Sequence, residues 1–213
     1  MIIGTIKADR QAAASTETPQ RIQETGAYVG RILQAEQYET KGGATMARLY
    51  FQEEAGATAW LSLCLLKNDG EESFTMGIFH SILTCAGVDA VTATKGKVKT
   101  MSGQVVDGYR MRELEGKRIG LLLQAEPREY ELNGKINITN DMVIRRSFRA
   151  EDGRTAKEIE NNAQPERIQA DLKYYKEHPK ELRRLEGAAR PASSSAGSPN
   201  LPPAPPPEED VPF

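Results

Sequence analysis

Short β-type segments separated by glycine-containing breaks dominate the first half of the sequence. Two segments rich in β-branched and aromatic residues flank the break "TKGGAT", and they read "AYVGRILQAEQYE" and "MARLYFQEE". A third segment, "GATAWLSLCLLKNDG", ends in the turn signal Asn68-Asp69-Gly70. Alternating segments of this length with such turn residues predict three consecutive strands joined by short connections.

The hydrophobic period then changes from that of a strand to that of a helix. Four residues lie at helical spacing and a glycine follows at a C-cap position: Phe74, Ile78, Ile82, Cys85 and Gly87. This spacing predicts a helix directly after the third strand.

Two further strands are expected near residues 119–125 and 136–145, on either side of the hairpin signal Asn133-Gly134. The basic, glycine-interrupted segment 92–112 is predicted to be a long loop or a mobile hairpin. The predicted order is therefore three strands, one helix and two strands.

The composition turns polar after Phe148. Thr155 and Glu158 have the spacing of a capping box, and a second helical stretch ends at Pro179. Three residues share one face of that stretch: Ile168, Leu172 and Tyr175. They are too few for a separate core, so these helices pack on the sheet, bind a partner or form only partly.

From Pro191 the chain is rich in Pro, Ser and Ala, and it ends in "PPPEEDVPF". Its low apolar content cannot offset the entropy lost on ordering, so it is predicted to be a disordered tether. The tail has three of the 30 acidic residues and no Lys or Arg, which leaves 28 basic against 27 acidic residues before it. The body is therefore balanced, and an anion site there requires a local basic patch.

The remaining composition indicates a soluble protein of the cytoplasm. Cys64 and Cys85 lie in apolar surroundings and are expected to be buried free thiols. Charges at Lys7, Asp9 and Arg10 argue against a signal peptide, and no apolar run approaches the ~20 residues of a membrane helix.

The strand order together with the tail resembles the single-stranded DNA-binding proteins of bacteria and their phages. In that family the chain ends in an acidic run, Ile or Val, Pro and Phe. The matching residues here are Glu208, Glu209, Asp210, Val211, Pro212 and Phe213. The stretches "GKRIGLLLQAEPREYELNGK" and "RSFRAEDGRTAKEI" look more like a divergent phage group of such proteins, across residues 25–165.

The resemblance implies a mainly β, OB-fold-type five-stranded barrel with one inserted helix. Its domains would be an arm at 1–24, a DNA-binding domain at 25–150, a helical extension at 151–190 and the tail at 191–213. Such a protein protects single-stranded DNA during phage DNA replication, recombination and repair in the bacterial host cytoplasm. The tip recruits partner enzymes, since Phe213 suits an apolar pocket and the acids suit basic residues. A homo-oligomer is possible.

Strand alternation places candidate DNA-binding residues. If Leu49 and Phe51 face the core, Arg48 and Tyr50 face the other way, as a phosphate-pairing cation beside a base-stacking ring. By the same argument Leu61, Leu63 and Leu65 face the core and turn Trp60 outward; the competing interpretation is a core or interface tryptophan. The candidates in loops and basic segments are Tyr38, Lys41, Lys95, Lys97, Lys99 and Arg118.

No cofactor, metal or catalytic centre is expected. His80 and His178 lack partners at metal-ligand spacing, and the sequence has no phosphate-binding GxxxxGK[ST] motif. Two alternatives stay open: an interaction adaptor that imitates the tip of the host protein, and a recombination protein that anneals complementary strands. A nuclease is the least favoured class.

Overall fold

The computed structural model describes residues 20–185. The predicted arm up to residue 19, the Pro-rich tail and the tip at residues 208–213 lie outside this range. Within it the protein is mainly β, as the sequence predicts.

Within residues 20–185 the secondary structure consists of seven strands, three α-helices and one 3-10 turn. The strands are β1 (Gly26–Glu39), β2 (Thr45–Glu53), β3 (Thr58–Leu66), β4 (Thr94–Lys99), β5 (Val105–Arg110), β6 (Arg118–Leu132) and β7 (Lys135–Phe148). The helices are α1 (Met76–Ala86), α2 (Ala156–Glu160) and α3 (Arg167–Glu177), and the 3-10 turn is Arg112–Leu114. None of the helices within residues 20–185 has both the length and the apolar character needed to cross a membrane.

All strands join one antiparallel sheet, which is not closed. Its order is β3-β2-β1-β5-β4, and β6 pairs with both β1 and β7. β1 has β2 along one edge and, on the other, β6 opposite Gly26–Arg31 and β5 opposite Glu36–Gln37. The long strand β1 therefore connects the two halves of the sheet.

The expectation of five strands is wrong, because segment 92–112, predicted to be a long loop or a mobile hairpin, forms a hairpin of two strands, β4 and β5. Gly96 lies opposite Gly108 in this hairpin, and a Cβ on Gly108 would come within 2.7 Å of Val98. Glycine and lysine are poor strand formers, so the local sequence gives only a weak strand signal here. Pairing between β4 and β5, and of β5 with β1, holds the segment extended.

The core lies on one side of β1, β2 and β3. Leu49, Phe51 and Leu61 are fully buried, and Leu63 and Leu65 are also buried. In β2 and β3 the buried residues alternate with more exposed ones, as the sequence predicts.

α1 covers one side of this core with Phe79, Ile82, Leu83 and Cys85. Gly87 ends the helix with φ of 63°, in the left-handed region expected for a C-cap glycine. The prediction that Phe74 belongs to the helix is wrong: Phe74 precedes the first turn and is 86% exposed. The helical period holds only from Met76 onward.

The Asn133-Gly134 prediction is confirmed. Asn133 and Gly134 have φ of 53° and 73°, and they connect β6 and β7 with Leu132 opposite Lys135. Positive φ at both central residues is the conformation of a tight type I′ hairpin turn.

The C-terminal helices pack on the sheet, which was one of the open alternatives. Thr155 and Glu158 form the predicted capping box at the start of α2. In α3, Ile168 is buried against Leu122 and Phe148 of β6 and β7. Asp171 forms an ion pair with Arg146 at the same contact.

We expect Ile168→Ala to lower the free energy of unfolding by roughly 2–5 kcal/mol, because it leaves a cavity between α3 and the sheet. Urea denaturation measures this change. Tyr174→Ala on the same helix is the control, since Tyr174 is 55% exposed and its replacement should change stability by less than about 0.5 kcal/mol. A change below about 0.5 kcal/mol for both substitutions would show that α3 does not contribute to the packed core.

Candidate nucleic-acid interface

A β-bulge at Leu33 determines which residues of β1 face away from the core. The β1–β2 register shifts between Ile32 and Gln34, so Leu33 has no partner in the ladder. Ile32 and Ala35 are both fully buried although they are three positions apart. The extra residue therefore turns Gln34 and the alternate positions after it onto the opposite side of the strand.

The side of β1, β2 and β3 opposite the core is called the outer face here. Residues paired across strands lie side by side on it in three rows. The rows are Gln34–Tyr50–Trp60, Glu36–Arg48–Ser62 and Tyr38–Met46–Cys64. The structure thus brings together four of the candidates, namely Tyr38, Arg48, Tyr50 and Trp60.

Tyr50 and Trp60 stack on each other. Their ring centroids are 4.5 Å apart and their planes are inclined by 19°. Both residues have intermediate exposure and belong to the outer face, not to the main core. Each ring covers one face of the other, so a nucleobase can stack only on the opposite face of either ring.

Arg48 lies in the row between this aromatic pair and Tyr38. Its guanidinium carbon lies 4.3 Å from the centroid of the Tyr38 ring, and its Nη1 lies 3.1 Å from Oε1 of Glu36. Glu36 is only 5% exposed. Burial raises the pKa of the Glu36 carboxyl above its ordinary value, although Arg48 acts in the opposite direction.

The β4–β5 hairpin lies against the outer face. Val98 of β4 is only 4% exposed, although it belongs to neither of the two core clusters. Other residues of the hairpin therefore contribute to its burial. Gln34 bonds to the backbone of Lys99 at the end of β4. The space between the hairpin and the outer face is called the groove below.

The groove contains two recesses. One, of about 320 Å³, lies between Tyr38 and Arg48 on the sheet and Val98, Val106 and Tyr109 on the hairpin. The second recess, of about 210 Å³, is lined by Arg21, Tyr50, Thr58, Ala59, Trp60 and Met101. A cation and aromatic rings therefore line both recesses.

Lys95, Lys97 and Lys99 are all exposed, and they alternate with Gly96 and the buried Val98. This confirms that they project to one side of an extended segment, but that side is opposite Val98. Lys97 forms an ion pair with Asp107 at 2.8 Å. The lysine row therefore lies on the outer surface of the hairpin and not inside the groove.

Two further candidates lie elsewhere. Lys41 is exposed in the turn between β1 and β2. Arg118 lies opposite Arg31 at the other end of β1, where it pairs with Glu54 at 2.6 Å and Glu151 at 3.7 Å. No contact of Arg118 within residues 20–185 joins it to the Tyr50–Trp60 pair.

Sequence reasoning did not select Arg21, Met101 or Tyr109. The alternation in "VVDGYR" offers a weak strand signal that includes Tyr109. Arg21 reaches the groove because its backbone forms a parallel bridge with Thr58, and no local pattern indicates that pairing.

The cysteines are free, but only Cys85 is buried, whereas Cys64 has intermediate exposure on the outer face. Burial raises the pKa of the Cys85 thiol. Within residues 20–185 no group of three or more His, Cys, Asp or Glu side chains has a metal-binding arrangement.

No protein-family model matches the sequence, and no curated protein matches it.

We expect Glu36→Gln to stabilise the protein increasingly, relative to the parent, as the pH rises from about 4 to about 7. A folded-state pKa above the unfolded one means that the folded parent binds more protons and loses stability as Glu36 ionises. The glutamine cannot ionise and avoids this loss. Urea unfolding at several pH values tests the sign, and a constant difference between variant and parent would contradict it.

Proposed function

We propose that this protein binds single-stranded DNA in the groove between the outer face and the β4–β5 hairpin. The observation that carries the proposal is the stacked Tyr50–Trp60 pair, in a recess also lined by Arg21 and by Met101 of the hairpin. Unpaired bases offer free aromatic faces, and each stacking contact contributes about 1–3 kcal/mol.

The groove contains both cations and carboxylates, since Glu36, Glu39 and Asp107 line the recess that includes Arg48. Arg48 and Arg21 supply cations inside it, and the exposed Lys95 and Lys99 supply them where a strand leaves it along the hairpin. Phosphate contacts position a strand without reading its sequence. The expected binding is therefore largely independent of base sequence.

The proposal includes an OB-type architecture for the sheet. Three strands, a helix and a final hairpin follow in that order, and β1 pairs on both edges. The β4–β5 hairpin is an addition to the expected five strands. OB-folds bind single strands on an exposed sheet face bordered by loops, which is the position of the groove here.

In this proposal the protein is not an enzyme. It protects unpaired DNA during replication, recombination and repair, and its acidic Val-Pro-Phe tip recruits partner proteins. The support for that second role is the resemblance of residues 208–213 to the tips of bacterial and phage single-stranded DNA-binding proteins.

Fluorescence anisotropy of labelled oligothymidine tests the DNA-binding role. We expect tight binding by the full chain and by a version ending at Arg190, with much weaker binding to duplex DNA. Affinity should fall with salt, with a logarithmic slope of about -0.7 for each phosphate contact on a single strand. Absence of binding by both versions at low salt would overturn the proposal and favour the adaptor function, and rapid annealing of complementary strands would add the recombination role.

Tyr50→Ala and Trp60→Ala should each weaken oligothymidine binding by roughly 5-fold to 150-fold, because each removes part of the stacking surface. Tyr174→Ala, an exposed tyrosine on α3, is the matched control and should leave the affinity unchanged. In the parent chain Trp60 is the one tryptophan, so oligothymidine should also quench the intrinsic fluorescence. Equal affinities of all three variants would place the DNA outside the groove.

A further inference from the structure

A buried glutamine joins the sheet to the far end of the β4–β5 hairpin. Gln34 is 8% exposed. Its Nε2 donates to the backbone oxygen of Lys99 at 3.0 Å, and its Oε1 accepts from the backbone nitrogen of Lys99 at 2.8 Å. Both polar ends of one side chain therefore hold one residue of the hairpin, 65 positions further along the chain.

These two hydrogen bonds attach the hairpin to the sheet near its tip, far from the ladder that joins β5 to β1. The ladder between β5 and β1 joins only Glu36 with Arg110 and Gln37 with Tyr109, at the base of the hairpin. Lys99 lies at the opposite end, directly before the tip turn that Thr100 closes by donating its backbone N–H to Gln104 at 2.7 Å. Gln34 is thus an attachment close to the tip, remote from the ladder.

The attachment also lies between the two recesses. Thr100, next to Lys99, lines the recess beside Tyr38, and Met101 lines the recess beside Trp60. The attachment at Lys99 therefore directly precedes the two hairpin residues that line the two recesses.

We infer that Gln34 is a positioning residue that holds the hairpin closed across the groove and controls how fast a single strand enters and leaves. The role in DNA exchange rests on the proposed function, whereas the attachment of the hairpin does not. An internal stretch of a long strand reaches both recesses only after the two bonds open. A strand with a free end can instead be threaded beneath the hairpin.

Hydrogen exchange without DNA tests the attachment alone. Gln34→Ala should speed exchange of the backbone amides of residues 96–106 by roughly tenfold to a hundredfold, since two buried hydrogen bonds are lost. Gln52→Ala is the matched control, because Gln52 also donates to a backbone oxygen, that of Gly56 at 3.3 Å, but outside the hairpin. Val98→Ala loosens the hairpin from its own side and should act in the same direction if Gln34→Ala folds poorly.

Stopped-flow quenching of Trp60 then tests control of DNA exchange. We expect Gln34→Ala to raise the association rate with circular single-stranded DNA, which has no ends, by tenfold or more. The rate with a short linear oligothymidine should rise much less, and dissociation of both should become faster. A merely structural role would change both DNA forms equally.

The outcomes separate the two proposals. Faster amide exchange in the hairpin with no binding of any oligonucleotide would leave the attachment standing and overturn the DNA-binding function. Normal DNA binding by Gln34→Ala, with amide exchange and rates equal to those of Gln52→Ala, would overturn the attachment. Faster amide exchange with unchanged association rates would overturn its control over DNA entry.

Discussion

The rest of the structure depends on the backbone hydrogen bonding of β1, which is shared among several partners. One edge pairs with β2 along most of its length. The other edge pairs first with β6, then bonds the segment around the 3-10 turn through Ile32 and Ala35, and finally pairs with β5. Because buried backbone groups must find partners, these successive pairings determine where the core ends and where the hairpin begins. The groove lies where the pairing of β1 changes from β6 to β5.

Acidic residues accompany several of the cations near this groove. Glu36 pairs with Arg48, Asp107 with Lys97 and Glu115 with Arg110. A phosphate that approaches Arg48 must compete with a carboxylate whose ionisation already carries a desolvation cost. Exposed pairs such as Lys97–Asp107 are weak and exchange partners easily. In the proposed function, a phosphate must therefore replace these carboxylates beside their cations.

The sequence predicts the parts of the fold that depend on neighbouring residues. Alternation in β2 and β3 indicates which side Tyr50 and Trp60 occupy, and Asn133-Gly134 indicates the last hairpin. The bulge at Leu33 could not be predicted, because one unpaired residue reverses the two-residue period only through its pairing with β2. Likewise, no local sequence pattern indicates the contact of Gln34 with Lys99. The roles of the tail and of the DNA-binding residues stay predictions.

The composition of the β4–β5 hairpin explains why one side chain can govern it. Gly96 and Gly108 face each other where most hairpins place packed side chains, and Val105 and Val106 are exposed. Such a pair of strands has little packing energy of its own, so its position relative to the sheet depends on a few attachments. Val98 and the Gln34–Lys99 bonds supply these attachments at the far end. The sheet beneath is packed on its core side, so in the proposed function the stacking rings lie on a well-packed support while the hairpin above them is held by few attachments.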